Sequence, residues 1–455
     1  MIKEQTNDQQ QQYELICIEE MVPEDHLLRK IDKYIDFSFI RELTNEYYCL
    51  DNGRPAIDPI TLFKILIIGY LFGIRSERKL MEEIRYNMAY RWFLGYTFTT
   101  PIPSHSTISK NRTKRFKESD IYQKIFDNII MQAIEKKLIS GNILFTDSTH
   151  IKANANKNKF INEQVTVSTK DYLEDLNNAV NESREEHGQK PLKKNTTDEE
   201  IKNRKVSTTD PDSGFMTREG KPKGFFYLEH RTVDSKYNLI VDSFVTPGNI
   251  NDDEPFVNRI DTLIEKFEFD TKYAVADAGY STMPTIKKLA NKSYTAVLGF
   301  RMGPHVKGKF TKLRFQYIPE QDLYVCPGAA PLRYKTTTRS GYKEYTSDEY
   351  YCRNCPLKDK CLTSEKASTR TIRRHVWEEL REKIFDFLKT DKGKWIYNRR
   401  KEKIERSFAD SKELHGLRYA RFRGLNKVSE QCLMTAVAQN IKKISLVLSH
   451  RVSCL

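Results

Sequence analysis

Ile143-Leu144-Phe145-Thr146-Asp147 is a short apolar run that closes on a carboxylate. Such a run reads as a buried strand, with the aspartate at its C-terminal end. Tyr273-Ala274-Val275-Ala276-Asp277 repeats the pattern. A carboxylate at the end of a buried strand is costly unless something pairs with it. The strand ends of an α/β sheet are also where rigid sites are built. Two such carboxylates are able to hold divalent cations, and phosphodiester chemistry uses a pair of metals about 4 Å apart. Mg²⁺ or Mn²⁺ suits all-oxygen ligands and keeps several waters. Each aspartate taken alone reads better as a strand-end turn residue or a helix cap.

Working outward, strand signals recur at 225–228, 230–234, 239–245 and 294–298, with helical periodicity between them. Antiparallel strands followed by strand–helix–strand predict an α/β mixed sheet flanked by helices. His230 and Asp234 fall on a strand expected beside the Asp147 strand, and Asp252 and Asp253 follow the Pro247-Gly248-Asn249 turn. These four are secondary site candidates, or core and turn residues. Residues 160–222 are polar and charge-mixed, which predicts an insert, helical around Tyr172 to Glu186 and otherwise loop-like.

Residues 13–140 read as an all-α region behind a Gln-rich tail, 1–12, expected to be disordered. Asp58 caps an apolar helix with Pro59 in its first turn. Leu80, Ile84, Met88 and Trp92 recur every four residues and predict one helix. Ser104 to Ile108 open a basic helix carrying Lys110 and Arg112. The segment fits a helix-turn-helix-like DNA-binding unit or a bundle with a solvated basic face.

The chain has 455 residues, 76 Lys and Arg against 62 Asp and Glu, and a net charge of +14. With 38% hydrophobic and 11% aromatic residues it is too apolar for a disordered chain and too polar for a multi-span membrane protein. The longest apolar run, Ile60 to Ile74, is broken by Lys64 and is too short to span a bilayer. The start has no apolar signal core. A soluble, cytoplasmic, nucleoid-associated bacterial protein without a membrane partner is expected.

A third carboxylate, Glu405, lies in a segment from Ile396 to Lys412 that reads as one helix, Ile404 and Phe408 on its buried face. Lys401, Arg406 and Lys412 accompany it. The following Leu417-Arg418-Tyr419-Ala420-Arg421-Phe422-Arg423-Gly424 interleaves basic and aromatic residues, which suits phosphate and base contacts. Residues 371–427 hold 17 Lys and Arg against 9 Asp and Glu, so +8 of the chain's +14 surrounds Glu405.

These motifs together resemble insertion-sequence DDE transposases. The matches are Phe145-Thr146-Asp147-Ser148-Thr149-His150-Ile151-Lys152-Ala153-Asn154-Ala155, Val245-Thr246-Pro247-Gly248-Asn249, Ala276-Asp277-Ala278-Gly279-Tyr280, Ile404-Glu405-Arg406-Ser407-Phe408 with Lys412, and Arg421-Phe422-Arg423-Gly424-Leu425 with Asn440. Asp58-Pro59 and Pro103 to Ser109 add to them. The resemblance implies an RNase H-like catalytic domain with a mixed five-stranded sheet over 141–300 and 371–450, behind the helical domain 13–140. It implies that Asp147, Asp277 and Glu405 form the catalytic triad and bind Mg²⁺ or Mn²⁺. It implies DNA strand cleavage (phosphodiester hydrolysis) and strand transfer (transesterification) at the element's terminal inverted repeats. The partners are double-stranded DNA of the element ends and target, and a second copy of the chain as a homodimer. Lys401, Arg406, Lys412, Arg418, Arg421, Arg423, Lys110 and Arg112 are the DNA-binding candidates. Many relatives carry Tyr-x2-Arg-x3-Glu-x6-Lys. Glu405 and Lys412 fit it, whereas Tyr397 and Arg400 stand one residue too far upstream and Lys401 takes the arginine's place. The alternatives are a non-catalytic DNA-binding relative (a repressor or domesticated transposase), against which the three carboxylates argue, and an RNase H-like nuclease that cuts without joining.

Four of the eight cysteines cluster as Cys326-x25-Cys352-x2-Cys355-x5-Cys361. Two residues between cysteines let both thiolates reach one tetrahedral Zn²⁺. The loop-rich 301–370 insertion is short of aliphatics, so a structural zinc would supply folding energy. Reduced thiols or a redox pair are the alternatives.

Overall fold

The computed structural model describes residues 15–49, 56–168, 170–193, 199–217, 222–300, 306–362, 364 and 366–453. The expected tail, 1–12, lies outside them.

Among the described residues, eight α-helices come first: α1 (Ile18–Met21), α2 (Leu27–Tyr34), α3 (Phe39–Thr44), α4 (Pro59–Leu71), α5 (Glu77–Tyr86), α6 (Met88–Phe93), α7 (His105–Lys110) and α8 (Ile121–Glu135). Asp58 caps α4 by accepting the Thr61 N–H, and α4 is buried along its length from Leu62 to Leu71 except at Lys64. The expected helix through Trp92 is two helices. Asn87 turns extended, ends α5, and caps α6 by accepting the Tyr90 N–H, which offers the backbone a local alternative to continuing the helix.

Next come β1 (Ile143–Lys152), β2 (Phe160–Ser168), α9 (Lys170–Glu186), β3 (Glu199–Ser207), β4 (Gly214–Met216), β5 (Gly224–Asp234), β6 (Ile240–Pro247), α10 (Phe256–Phe267), β7 (Tyr273–Ala276), α11 (Met283–Leu289) and β8 (Thr295–Leu298). The central sheet runs β4-β5-β1-β7-β8, with β6 on β5. It is mixed, as expected, but has six strands. The β1–β7 and β7–β8 pairs are parallel; the β5 pairs are antiparallel.

A second sheet of β9 (Gln316–Ile318), β10 (Leu323–Val325), β11 (Pro331–Thr337), β12 (Tyr342–Ser347) and β13 (Thr371–His375) carries the cysteines, with α12 (Glu349–Arg353) and α13 (Lys358–Cys361) after β12. It corrects the loop-rich reading of 301–370. Tyr317, Tyr324, Tyr334 and Tyr345 contribute aromatic area where aliphatics are scarce, and β13 lies past the expected boundary at 370. The 160–222 insert is also more ordered than expected. β2 and β3 form a two-stranded ribbon, and α9 at its end docks on the second sheet. There Ser183 bonds Thr337, Arg184 bonds Thr336 and Thr337, and His187 bonds Asp322. Asp322 also accepts from the Tyr317 and Tyr345 hydroxyls, each at 2.6 Å.

The chain returns through α14 (Glu378–Lys389), α15 (Asp391–Asn398), a π-helical turn at Lys401–Glu405, α16 (Arg406–Glu413) and α17 (Leu425–Ser453). The expected single helix 396–412 is therefore interrupted just before Glu405. α17 packs on β6 and on α2, α4 and α8, so one apolar core, from Leu28 through Phe145 to Ile444, is shared by the helical region and the sheet.

Candidate active site

Asp147 does not end its strand. β1 continues five residues past it, whereas its neighbour β7 stops at Ala276. The parallel register sets Phe145 beside Val275; carried two residues on, it brings Asp147 near Asp277, close enough for the Asp277 charge to act on the Asp147 carboxyl. Asp277 accepts the Gly279 N–H at 2.8 Å and so caps the turn that follows. Asp147 accepts the Ser148 N–H at 2.8 Å. Burial pushes the Asp147 carboxyl up to about 6, the Arg400 guanidinium opposes this, and Asp277 adds to the push.

Glu405 joins them through Arg400, whose Nη1 donates to Asp147 Oδ2 at 2.7 Å and whose Nη2 donates to Glu405 Oε1 at 3.1 Å. The π-helical turn explains the misfit with the Tyr-x2-Arg-x3-Glu-x6-Lys pattern. A π turn holds one residue more than an α turn, so Arg400 and Glu405, five apart, share a face that residues four apart share in an α-helix. Arg400 takes the place expected of Lys401, which is exposed. Tyr397 follows it: Gly299 lies so close that any side chain there would meet the Tyr397 hydroxyl and the Ala278 backbone nitrogen. Sequence reasoning left both roles open; the surplus residue was the signal for a π turn.

Lys412 Nζ donates to Thr149 Oγ1 at 2.6 Å, two residues along the Asp147 face. Beneath the site, burial and the Asp147 charge raise the Tyr280 phenol well above its usual range. His230 is buried, bonds Thr246 Oγ1 at 2.9 Å, and is pushed down to about 4 by burial, against the pull of Asp252. Asp253 accepts from Thr282 and Thr285. Asp234 lies at the other end of β1, where it accepts the Ser140 and Gly141 N–H groups, a turn role.

The proposed DNA contacts divide. Lys110, Lys401, Arg406, Arg418 and Arg423 are exposed. Arg112 and Arg421 instead direct their guanidinium groups inward. Arg112 pairs with Glu77 and stacks 3.9 Å from the Phe422 ring centroid. Arg421 lies 4.5 Å over Tyr70 and bonds the Ile74 and His415 carbonyls. Both join the helical region to the 417–425 segment.

Cys326, Cys352, Cys355 and Cys361 line one cavity of about 80 Å³. Ala330 N–H donates to Cys326 Sγ at 3.3 Å, and burial raises the Cys361 thiol, with the other three thiols adding to it. Among the described residues, no group of three or more His, Cys, Asp or Glu side chains is spaced to hold a metal ion, either here or at the carboxylates. At the carboxylates Arg400 stands between two of the three, and its charge marks a place suited to cations.

Two family models match the chain. "Transposase domain (DUF772)" covers residues 16–114, and "Transposase DDE domain" covers 325–445, a span that includes Glu405 and the four cysteines. Among solved structures, a piggyBac transposase synaptic complex with hairpin DNA is 10% identical, with 93% of this chain and 78% of that chain covered at a TM-score of 0.35. A Mos1 transposase paired-end complex is 8% identical, with 55% and 62% covered at 0.17. No curated protein matches. The chain thus carries two matches to transposase domains in order, a DUF772 domain and a DDE domain whose matched span includes Glu405.

Proposed function

We propose that Asp147, Asp277 and Glu405 hold divalent ions that cut and rejoin DNA at the terminal inverted repeats of the chain's own element. The observation that carries this reading is the register that brings Asp147 near Asp277, with Arg400 bridging Asp147 to Glu405. The donor set is all oxygen, which suits Mg²⁺ or Mn²⁺. Bound there, such ions would supply the charge that activates the attacking oxygen and stabilises the leaving one. The carboxylates serve as acceptors in their ionised form. Arg400, released from Asp147 and Glu405, carries its charge to the scissile phosphate, for which a guanidinium fork is suited. Lys412 and the exposed Lys401, Arg406, Arg418, Arg423 and Lys110 hold neighbouring phosphates. Joining two element ends needs two copies of the chain, hence a homodimer on DNA. The test is Asp147→Asn on end-containing DNA with Mn²⁺. Nicking should fall on the order of 10³-fold or more, with DNA binding kept; unchanged nicking would refute the assignment.

A structural zinc at Cys326, Cys352, Cys355 and Cys361 belongs to the same proposal. Four cysteines line one small cavity and supply the donor set, though not yet the spacing, of a closed tetrahedral site, whose thiols ionise on coordination. One zinc per chain by elemental analysis is the expected result.

A further inference from the structure

The β1–β7 pairing, which ends at Phe145 and Val275, brings Asp147 near Asp277, but Glu405 comes from a helix outside the sheet. We propose that the buried Glu229–Arg231 pair sets this third separation, with Arg231 as a positioning residue for Glu405. The proposal rests on the metal-site reading above.

Arg231 lies directly opposite Asp147 in the antiparallel β1–β5 ladder, so both side chains leave the same face. Arg231 and Glu229 are both fully buried. The Arg231 Nη1 donates to the Ser407 carbonyl at 3.1 Å, Ser407 Oγ at 2.9 Å, Ser411 Oγ at 2.8 Å and Gln439 Oε1 at 3.1 Å. Its Nε and Nη2 donate to Glu229 Oε1, which also accepts the Ser243 hydroxyl. Gln439 Nε2 closes the set on the Ser407 carbonyl, and the Phe408 ring lies 4.7 Å from the guanidinium. One planar group thus joins β5 and, through Glu229, β6 to α17 and to the helix two and six residues beyond Glu405.

Stability alone does not explain this choice. Buried ion pairs seldom outperform apolar side chains of similar volume, and Glu229 Oε2 is buried with no hydrogen-bond partner among the described residues. What a fork of fixed geometry adds is direction. Apolar contacts tolerate sliding of α16 along the sheet; this set of bonds does not. Glu405 moves with that helix, so the same bonds hold its carboxylate at reach of Asp147.

The test compares Glu229→Met/Arg231→Met with Asp147→Asn and wild type, in the full-length chain. The double variant removes both charges at similar volume, so its melting temperature and DNA affinity should stay close to wild type. Mn²⁺ binding, read by electron paramagnetic resonance, should weaken about tenfold, as for loss of a group that orients a metal ligand. Cleavage should lose kcat rather than KM and recover partly at raised Mn²⁺. Ser411→Ala, which keeps the pair and removes one anchor, should weaken Mn²⁺ binding in the same direction and by less. If the double variant fails to fold, Ser411→Ala decides alone. Wild-type Mn²⁺ binding in the folded variants, beside an inactive Asp147→Asn, would overturn the positioning role. Wild-type cleavage by Asp147→Asn would instead remove the metal-site reading, and this proposal with it.

Discussion

The two sheets of this chain hold their key side chains by different means. The six-stranded sheet draws on a core that runs from Leu28 in α2 to Ile444 in α17. The cysteine-bearing sheet has a small core of its own, Phe315, Tyr324, Leu332, Tyr345, Cys361 and Ile372, and leans on α9 through hydrogen bonds. A wide apolar core lets the first sheet carry the buried charges Arg231 and Glu229 near its centre. The second buries only Arg374, on its edge strand β13 and paired with Glu382, among its described charged strand residues, and a small unit of this kind is where a cross-link or metal adds most.

The largest expected effect tests that contrast directly. Cys355→Ser, or a strong chelator, should remove a folding contribution on the order of 10 kcal/mol. Hydrogen exchange should then rise across β9 to β13 while β1, β5 and β7 stay protected. Protection unchanged in the second sheet would show that its tyrosines suffice. Next in size, Phe145→Ala should cost about 3–5 kcal/mol. Because the core is shared, the helical region and the six-stranded sheet should melt together at a lower temperature. Two separate transitions in calorimetry would break the claim of one core.

A smaller effect sharpens the seam between helical region and sheet. Burial raises the Glu430 carboxyl to about 7, with Arg112 and Lys427 opposing. A carboxyl whose folded pKa lies above its unfolded value near 4.5 contributes stability that is fully present below about pH 4.5. That stability is lost as pH climbs through about 7. Glu430→Gln should therefore raise the melting temperature at pH 8 by roughly 2–4 °C and change little at pH 4. An equal shift at both values would show that Glu430 keeps its charge in the folded chain.

Much of the catalytic sheet is legible from local pattern. Ile143 to Asp147 and Tyr273 to Asp277 announce buried strands and acidic ends because burial and period are properties of short segments. Their side-by-side register is not legible, since it depends on strands far apart in sequence. Leu80, Ile84, Met88 and Trp92 misled for a related reason. Their spacing is helical throughout, but Asn87 can satisfy the backbone with its own side chain and restart the helix. In the polar insert, few aliphatics suggest loops, yet β2 and β3 satisfy each other's backbone groups.

The sequence by itself determined the inventory: two strand-borne aspartates, a glutamate in a basic segment, four cysteines at knuckle spacing, and an apolar helix starting at Asp58. Such features are written in composition, period and spacing. Tertiary structure decided which charges face which. It turned Arg400 rather than Lys401 toward the carboxylates through a π turn, and folded Arg112 and Arg421 into the seam. It also buried Arg231 where it ties the strand beside Asp147 to the Glu405 helix. An arginine's destination depends on partners brought from distant segments and on the cost of leaving it unpaired, and neither is a local property of the chain.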